Sequence, residues 1–283
     1  MSRTNFLLQH RVYEDESTFS PEKGIELEVR AYYRYDNKPR IVFATGLGGC
    51  AGRNSLVDGL VDDFQVVTFS PRNSGNSNGR LGVENYISDL KHLIEEQSYL
   101  SGAKAFGIGH SFGGYCLARL LEEERVVDRA VLLSPLTELA EQNPYLVDKL
   151  LRIGSRNNYV ARIIGFCSSF LNGFNGARID KQRFDLDVQR FLRGLYDSKK
   201  INQELKSPTQ VFLAGRTNCR LRIPDLDELK KYWESLGANV ETYPEINHWF
   251  SGKGFSGVGD GFSLCKNVGI TSKIRNFLTN SAS

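Results

Sequence analysis

Gly109-His110-Ser111-Phe112-Gly113 sets a serine two positions from a glycine on either side. This is the G-x-S-x-G pattern, in which a sharp strand-to-helix turn presents a serine hydroxyl as a nucleophile. The flanking sequence suits that turn. Ala105-Phe106-Gly107-Ile108 is a short apolar run that reads as a buried strand, and Tyr115 to Leu121 reads as a helix packed on a sheet. Such a turn forces unfavourable backbone angles on the serine, and small neighbours at Gly109, Gly113 and Gly114 let strand and helix approach closely. The pentapeptide alone is short enough to occur in unrelated chains, so the strand, turn and helix around it carry its meaning.

A serine hydroxyl attacks poorly until a base takes its proton, so the elbow predicts a histidine on a later loop. The chain has four histidines. His10 precedes the core, His92 lies inside a helical pattern and His110 is part of the elbow, which leaves His248, just beyond the last expected strand. Acyl transfer also needs donors aimed at the developing oxyanion. The backbone amide of Phe112 is one candidate, and that of Leu47, in a loop with glycines at 46, 48 and 49, is the second. An ordinary glycine-rich turn is the plainer reading of the second loop.

Positioning these groups takes a series of strands. Apolar runs at Ile41 to Thr45, Phe64 to Phe69, Arg129 to Ser134 and Gln210 to Gly215 read as buried strands, with an earlier alternating strand over Ile25 to Tyr35 and another from Asn239 to Tyr243. Between them, Val83 to Leu100 has helical periodicity, with Asp89, Lys91, Glu95 and Glu96 on the polar face, and Leu226 to Leu236 is a second amphipathic helix. This alternation predicts an α/β fold with a mostly parallel central sheet flanked by helices and functional loops at its carboxyl edge. The stretch from about 135 to 207 interrupts the rhythm with helix-like pieces, and is expected to be a helical cap inserted in a single domain spanning 1–283. Its aromatics, Phe166, Phe170 and Phe174 among them, either line an acyl pocket or pack the cap itself.

Composition narrows the class. Hydrophobic residues at 40%, charged residues at 24% and a net charge of +3 describe a soluble globular chain with no electrostatic case for nucleic acid. No run approaches a membrane span and the N-terminus lacks a signal-peptide core, so a cytoplasmic protein is expected. Cys50, Cys116, Cys167, Cys219 and Cys265 are far apart and read as reduced thiols, Cys116 packed in the helix after the elbow.

Taken together, the glycine loop at Gly46 to Gly49, the turn at Ser70 to Ser77, the Ser111 elbow and the His248 loop resemble the α/β-hydrolase family over roughly Ile25 to Leu278. The resemblance implies an eight-stranded sheet, a cap after the sixth strand, and neither metal nor organic cofactor. Four positions depart from the family pattern. Thr45 stands where histidine is common, and Ser70 and Asn73 stand where the turn often has aspartate and glycine. The family's triad acid usually lies three residues beyond the glycine matched by Gly215, and this chain has Asn218 there. Asn218 and Asp225 are equal candidates to orient His248, with Asp227 and Glu138 as further carboxylates; Asp225 also suits the plain role of a helix N-terminal residue before Leu226.

The expected activity is hydrolysis of a small-molecule carboxylic ester by Ser111 through an acyl-enzyme, with a thioester or amide open to the same groups. Three other readings compete. Arg72, Arg216, Arg220 and Arg222 would attract an anionic substrate, or form a solvated face. Gly46-Leu47-Gly48-Gly49-Cys50-Ala51 also fits G-x-G-x-x-A after a strand, with Arg72 placed as in an NADP-dependent oxidoreductase. Asn218 motivates the third, a weak or silent hydrolase fold that binds a partner.

Overall fold

The computed structural model describes residues 12–46, 49–136, 200–216, 226–247, 250, 264–265 and 268–280. Its strands are β1 (Tyr13–Phe19), β2 (Leu27–Tyr33), β3 (Arg40–Ala44), β4 (Gln65–Phe69), β5 (Phe106–His110), β6 (Ala130–Leu133), β7 (Thr209–Arg216) and β8 (Asn239–Asn247). They form an eight-stranded sheet in the order β1-β2-β4-β3-β5-β6-β7-β8. From β4 to β8 neighbouring strands pair in parallel, while β2 runs antiparallel to β1 and β4. The parallel run brings the carboxyl ends of β3 to β8 to one edge.

Side-chain alternation divides the core between the two faces of the sheet. Val42 and Ala44 of β3, Leu132 of β6 and Val211 and Leu213 of β7 join one cluster. Ile41, Phe43, Val131, Phe212 and Ala214 join the other. Helices α2 (Val83–Ser101), α3 (Phe112–Glu123) and α4 (Leu226–Ser235) supply Leu90, Leu93, Leu117 and Trp233 to the first cluster. Helices α1 (Ser55–Leu60) and α5 (Val268–Thr279) supply Leu56, Leu60, Ile270 and Ile274 to the second. The result is a three-layer sandwich whose sheet is covered on both faces, as parallel strands require.

Three details depart from the sequence reading. β1 has the sequence YEDESTF and is almost wholly exposed, so it carries no apolar pattern by which to find it. β8 runs four residues past Tyr243, with a register irregularity between Ala214 and Arg216 where Gly215 lies against the Pro244 backbone. Asp89, expected on the solvent face of α2, is only 1% exposed.

Most of the expected cap, residues 137–199, lies outside the described residues. The end of that stretch packs on the main body. Ile201 and Leu205 are buried, the amides of Asn202 and Gln203 donate to the Glu122 carboxylate, and Lys206 donates to the Leu121 carbonyl.

Candidate active site

Strand β5 ends at His110, and α3 begins at Phe112 with Ser111 as its N-cap. Serine at an N-cap ordinarily satisfies one of the helix's first amides with its hydroxyl. Ser111 does not: its backbone sits at φ 56°, ψ −117° and its side chain makes no capping bond. A positive φ on a residue with a Cβ is strained, and strain of this kind persists only where the surroundings impose it. Those surroundings are backbone. The Ser111 amide donates to the Leu133 carbonyl at 2.9 Å, and the Ser111 carbonyl accepts from Tyr115 at 3.1 Å and Leu136 at 3.0 Å. A Cβ on Gly109 would lie 2.6 Å from the Gly114 Cα, and one on Gly113 would lie 2.2 Å from the Ala44 carbonyl oxygen. The turn therefore requires glycine at both positions.

The loop after β3 meets the elbow from the side. A Cβ on Gly46 would stand 3.3 Å from the Ser111 Cβ, which puts the start of the loop against the serine. Buried Tyr86 ties the two parts together. Its hydroxyl donates to the Thr45 carbonyl at 2.8 Å, and its ring meets that of Phe112 edge-on at 4.9 Å between centroids. Burial holds the Tyr86 phenol well above its ordinary pKa, so it stays a neutral donor. The Thr45 hydroxyl is buried with no partner among the described residues. Cys50 is a half-buried free thiol whose pKa is raised by burial and by the Glu28 charge.

Of the residues singled out from sequence, the structure places Ser111 and Phe112 together at the elbow, Phe112 being buried. Leu47, Asn218, Asp225, Glu138 and His248 lie outside the described residues, as do Arg220 and Arg222. Asp227 is exposed in the first turn of α4. Phe250, two residues beyond His248, is buried and meets the Tyr243 ring at 6.2 Å.

Arg72 is a correction. Its guanidinium makes two bonds to Asp89, at 2.8 and 2.7 Å, and pairs with Glu22 at 2.6 Å. With its side chain only 8% exposed, Arg72 braces the turn after β4 against α2 and is open to neither an anionic substrate nor a cofactor phosphate. The dinucleotide reading loses its second support at α1, where the Asn54 side chain accepts from the Leu56 and Val57 amides that a pyrophosphate would need. Two further residues were missed in the sequence, Tyr86 and the buried Glu28 on β2. The signal for Glu28 was a carboxylate between Leu27 and Val29 in an apolar strand.

Residues 39–162 match the family model described as the alpha/beta hydrolase fold. The sheet order, the parallel run and the strained serine between β5 and α3 agree with that match. The chain has the α/β-hydrolase fold. A segment of 99 residues is 32% identical to a protein of Agrobacterium fabrum provisionally named carbamate hydrolase RutD, covering 34% of this chain and 38% of that protein. Thus little more than a third of that curated relative is matched. Among solved structures, a protein from a study of carboxylesterases of Nitrososphaera gargenis superposes with a TM-score of 0.60 at 15% identity, covering 93% of this chain and 97% of that one. The bottromycin epimerase BotH, solved with bottromycin A2, superposes with a TM-score of 0.59 at 15% identity, covering 95% of this chain and 100% of its own. At these identities the likeness is one of fold, and the fold hosts both carboxylesterases and an epimerase. Among the described residues no helix is long and apolar enough to cross a membrane.

Proposed function

We propose that this chain is a serine hydrolase that cleaves a small-molecule carboxylic ester through an acyl-enzyme intermediate. The observation that carries the reading is Ser111, held at φ 56° with its hydroxyl not used to cap the helix it begins. Strain at an element junction, enforced by glycines on both sides, fits a residue whose side chain must be presented to a substrate.

In this reading the Ser111 oxygen attacks the ester carbonyl carbon while His248 takes the hydroxyl proton. The oxyanion that forms is held by the amides of Phe112 and Leu47. Collapse expels the alkoxide, which leaves with the proton from His248. Water then attacks the acyl-enzyme, gives a proton to His248 and releases the acid, and Ser111 recovers its proton. A group on the loop after β7 orients His248, and Asn218 and Asp225 are its two candidates. An asparagine would hold the ring without stabilising the imidazolium, which predicts slow turnover. The 137–199 segment is proposed as the cap over this site. A thioester or amide remains an alternative substrate of the same groups. The epimerase neighbour and Asn218 together favour one second reading, a hydrolase fold of little or no hydrolytic activity.

Turnover of a panel of acyl esters and thioesters by the wild type and Ser111→Ala separates these readings: loss in the mutant supports the nucleophile, and no turnover by either supports the silent fold. The orienting group is read from two further variants. If Asp225 orients His248, Asp225→Asn lowers kcat by about 10³ to 10⁴ and Asn218→Asp changes little. If Asn218 does, Asn218→Asp raises kcat and Asp225→Asn is nearly neutral.

A further inference from the structure

We infer that Glu28, acting through Ser70, is a positioning residue that holds the exit of the oxyanion loop; the inference rests on the serine-hydrolase reading of this site. The Ala51 amide, at the end of that loop, donates to the Ser70 hydroxyl at 2.9 Å. The Ser70 hydroxyl donates in turn to Glu28 Oε2 at 2.7 Å, and the same oxygen accepts from the Asn76 amide at 3.1 Å. Glu28 Oε1 accepts from Arg30 Nε at 3.0 Å and from its Nη2 at 2.8 Å. Glu28 is 5% exposed and Ser70 fully buried.

The chemistry fixes the direction of this chain of bonds. A carboxylate flanked by an amide, a hydroxyl and a guanidinium can only accept, so the hydroxyl proton of Ser70 points to Glu28 and its lone pairs are left for Ala51. Glutamine cannot replace the carboxylate, because one of its two ends would turn an N–H toward existing donors, either Arg30 or Ser70 with Asn76. The pocket has no slack: a Cβ on Gly75 would lie 2.3 Å from Glu28 Oε2 and 2.6 Å from Ser70 Oγ.

The loop is thus fixed at both ends. Tyr86 holds its entry at the Thr45 carbonyl, a turn bond from the Gly49 amide to the Gly46 carbonyl at 2.9 Å closes its middle, and Ser70 holds its exit at Ala51. Leu47, the proposed second oxyanion donor, is in the span between. Releasing the exit shifts that donor relative to Ser111 without removing it, so the expected loss is smaller than the 10² to 10³ in rate that follows deletion of such a donor.

The test compares wild type, Glu28→Gln, Ser70→Ala and the double variant Glu28→Ala/Ser70→Asp, which moves the carboxylate to where it can accept from Ala51 directly. Four readouts are taken: the rate of inactivation by a serine-directed phosphonate, kcat and KM for an ester, amide exchange at residues 49–52, and Tm. Both single variants are expected to lower kcat and the inactivation rate about tenfold, with KM within about twofold, and the double variant to recover most of the loss. Exchange at Ala51 is expected to rise about tenfold in Ser70→Ala, the consequence of one lost hydrogen bond.

A fall in Tm with unchanged kcat and inactivation rate in both single variants would overturn the inference, as would unchanged exchange at Ala51. Ser70→Ala leaves the Glu28–Arg30 pair in place, and so decides the matter if Glu28→Gln fails to fold. A wild type that the phosphonate does not label would bring down the hydrolase reading by itself, and exchange would still decide whether Ser70 holds the loop.

Discussion

The loop after β3 lies between two turns built in opposite ways. On the β5 side, the elbow is closed by leaving side chains out: Gly109 and Gly113 bring backbone against backbone, and the φ of 56° falls on Ser111. On the β4 side, the turn over residues 70–77 is closed by putting polar side chains in. Glu28, Ser70 and Ser77 interlock there, with the Ser77 hydroxyl donating to the Ser70 carbonyl and accepting from the Glu28 amide, and Arg72 pairs with Asp89. This turn also has a positive φ, 61° at Asn73, but asparagine tolerates the left-handed region far better than most residues. The difference assigns each turn a task. Backbone contacts hold the strained serine, whereas a network of charged and hydroxyl side chains holds the neighbouring loop.

If that division is right, the network should fail through its charges. Arg72→Met leaves Asp89 buried without its partner and is expected to cost about 3–5 kcal/mol in chemical denaturation, the largest effect of the set. Burial already pushes the Asp89 carboxyl up, with Arg72 opposing that shift, so the carboxyl of the variant should protonate more readily. A loss below about 1 kcal/mol would show that the turn does not depend on the pair. The elbow should fail through volume. Gly113→Ala must displace the carbonyls of Ala44 and Thr45, costing about 2–3 kcal/mol, and phosphonate labelling of the folded variant should fall by more than its stability implies.

These two outcomes also measure what was legible in the sequence. The elbow was readable because its requirements are local: an apolar strand, glycines at fixed offsets and a helix. β3, β4, β6, α2 and α4 were readable for the same reason, each carrying its own periodicity. Arg72 was misread because its partner Asp89 is seventeen residues away on a helix whose polar face looked solvated, and sequence does not show which polar residue a neighbouring turn will cover. β1 escaped notice because an exposed edge strand has no buried face to pattern it. Tyr86 escaped because its partner is a loop carbonyl, which carries no residue-type signal, and Glu28 because Ser70 and Asn76 lie 42 and 48 residues away in sequence. Leu47 and His248, expected from their place in the ordered series and, for His248, by elimination among the histidines, lie outside the described residues.

Smaller effects sharpen the comparison. Asn73→Ala places an ordinary side chain at φ 61° and should cost about 1 kcal/mol more than Asn73→Gly in the same unfolding assay. The thiol next to the network offers a pH readout. Burial raises the Cys50 pKa above its ordinary 9.0, so the neutral thiol is the form the fold favours. Alkylation of Cys50 by iodoacetamide should therefore reach half its maximal rate above pH 9, and any stability owed to the buried thiol should be present at neutral pH and lost as pH rises through the raised value.

The central claim is that the strained serine is a nucleophile. The most direct measurement is intact-protein and peptide mass spectrometry after treatment with a fluorophosphonate, for wild type and Ser111→Ala at matched Tm. One adduct per chain, located on the peptide containing Ser111 and absent from the variant, is the predicted result. A folded wild type that acquires no adduct, or acquires it on another residue, would contradict the account.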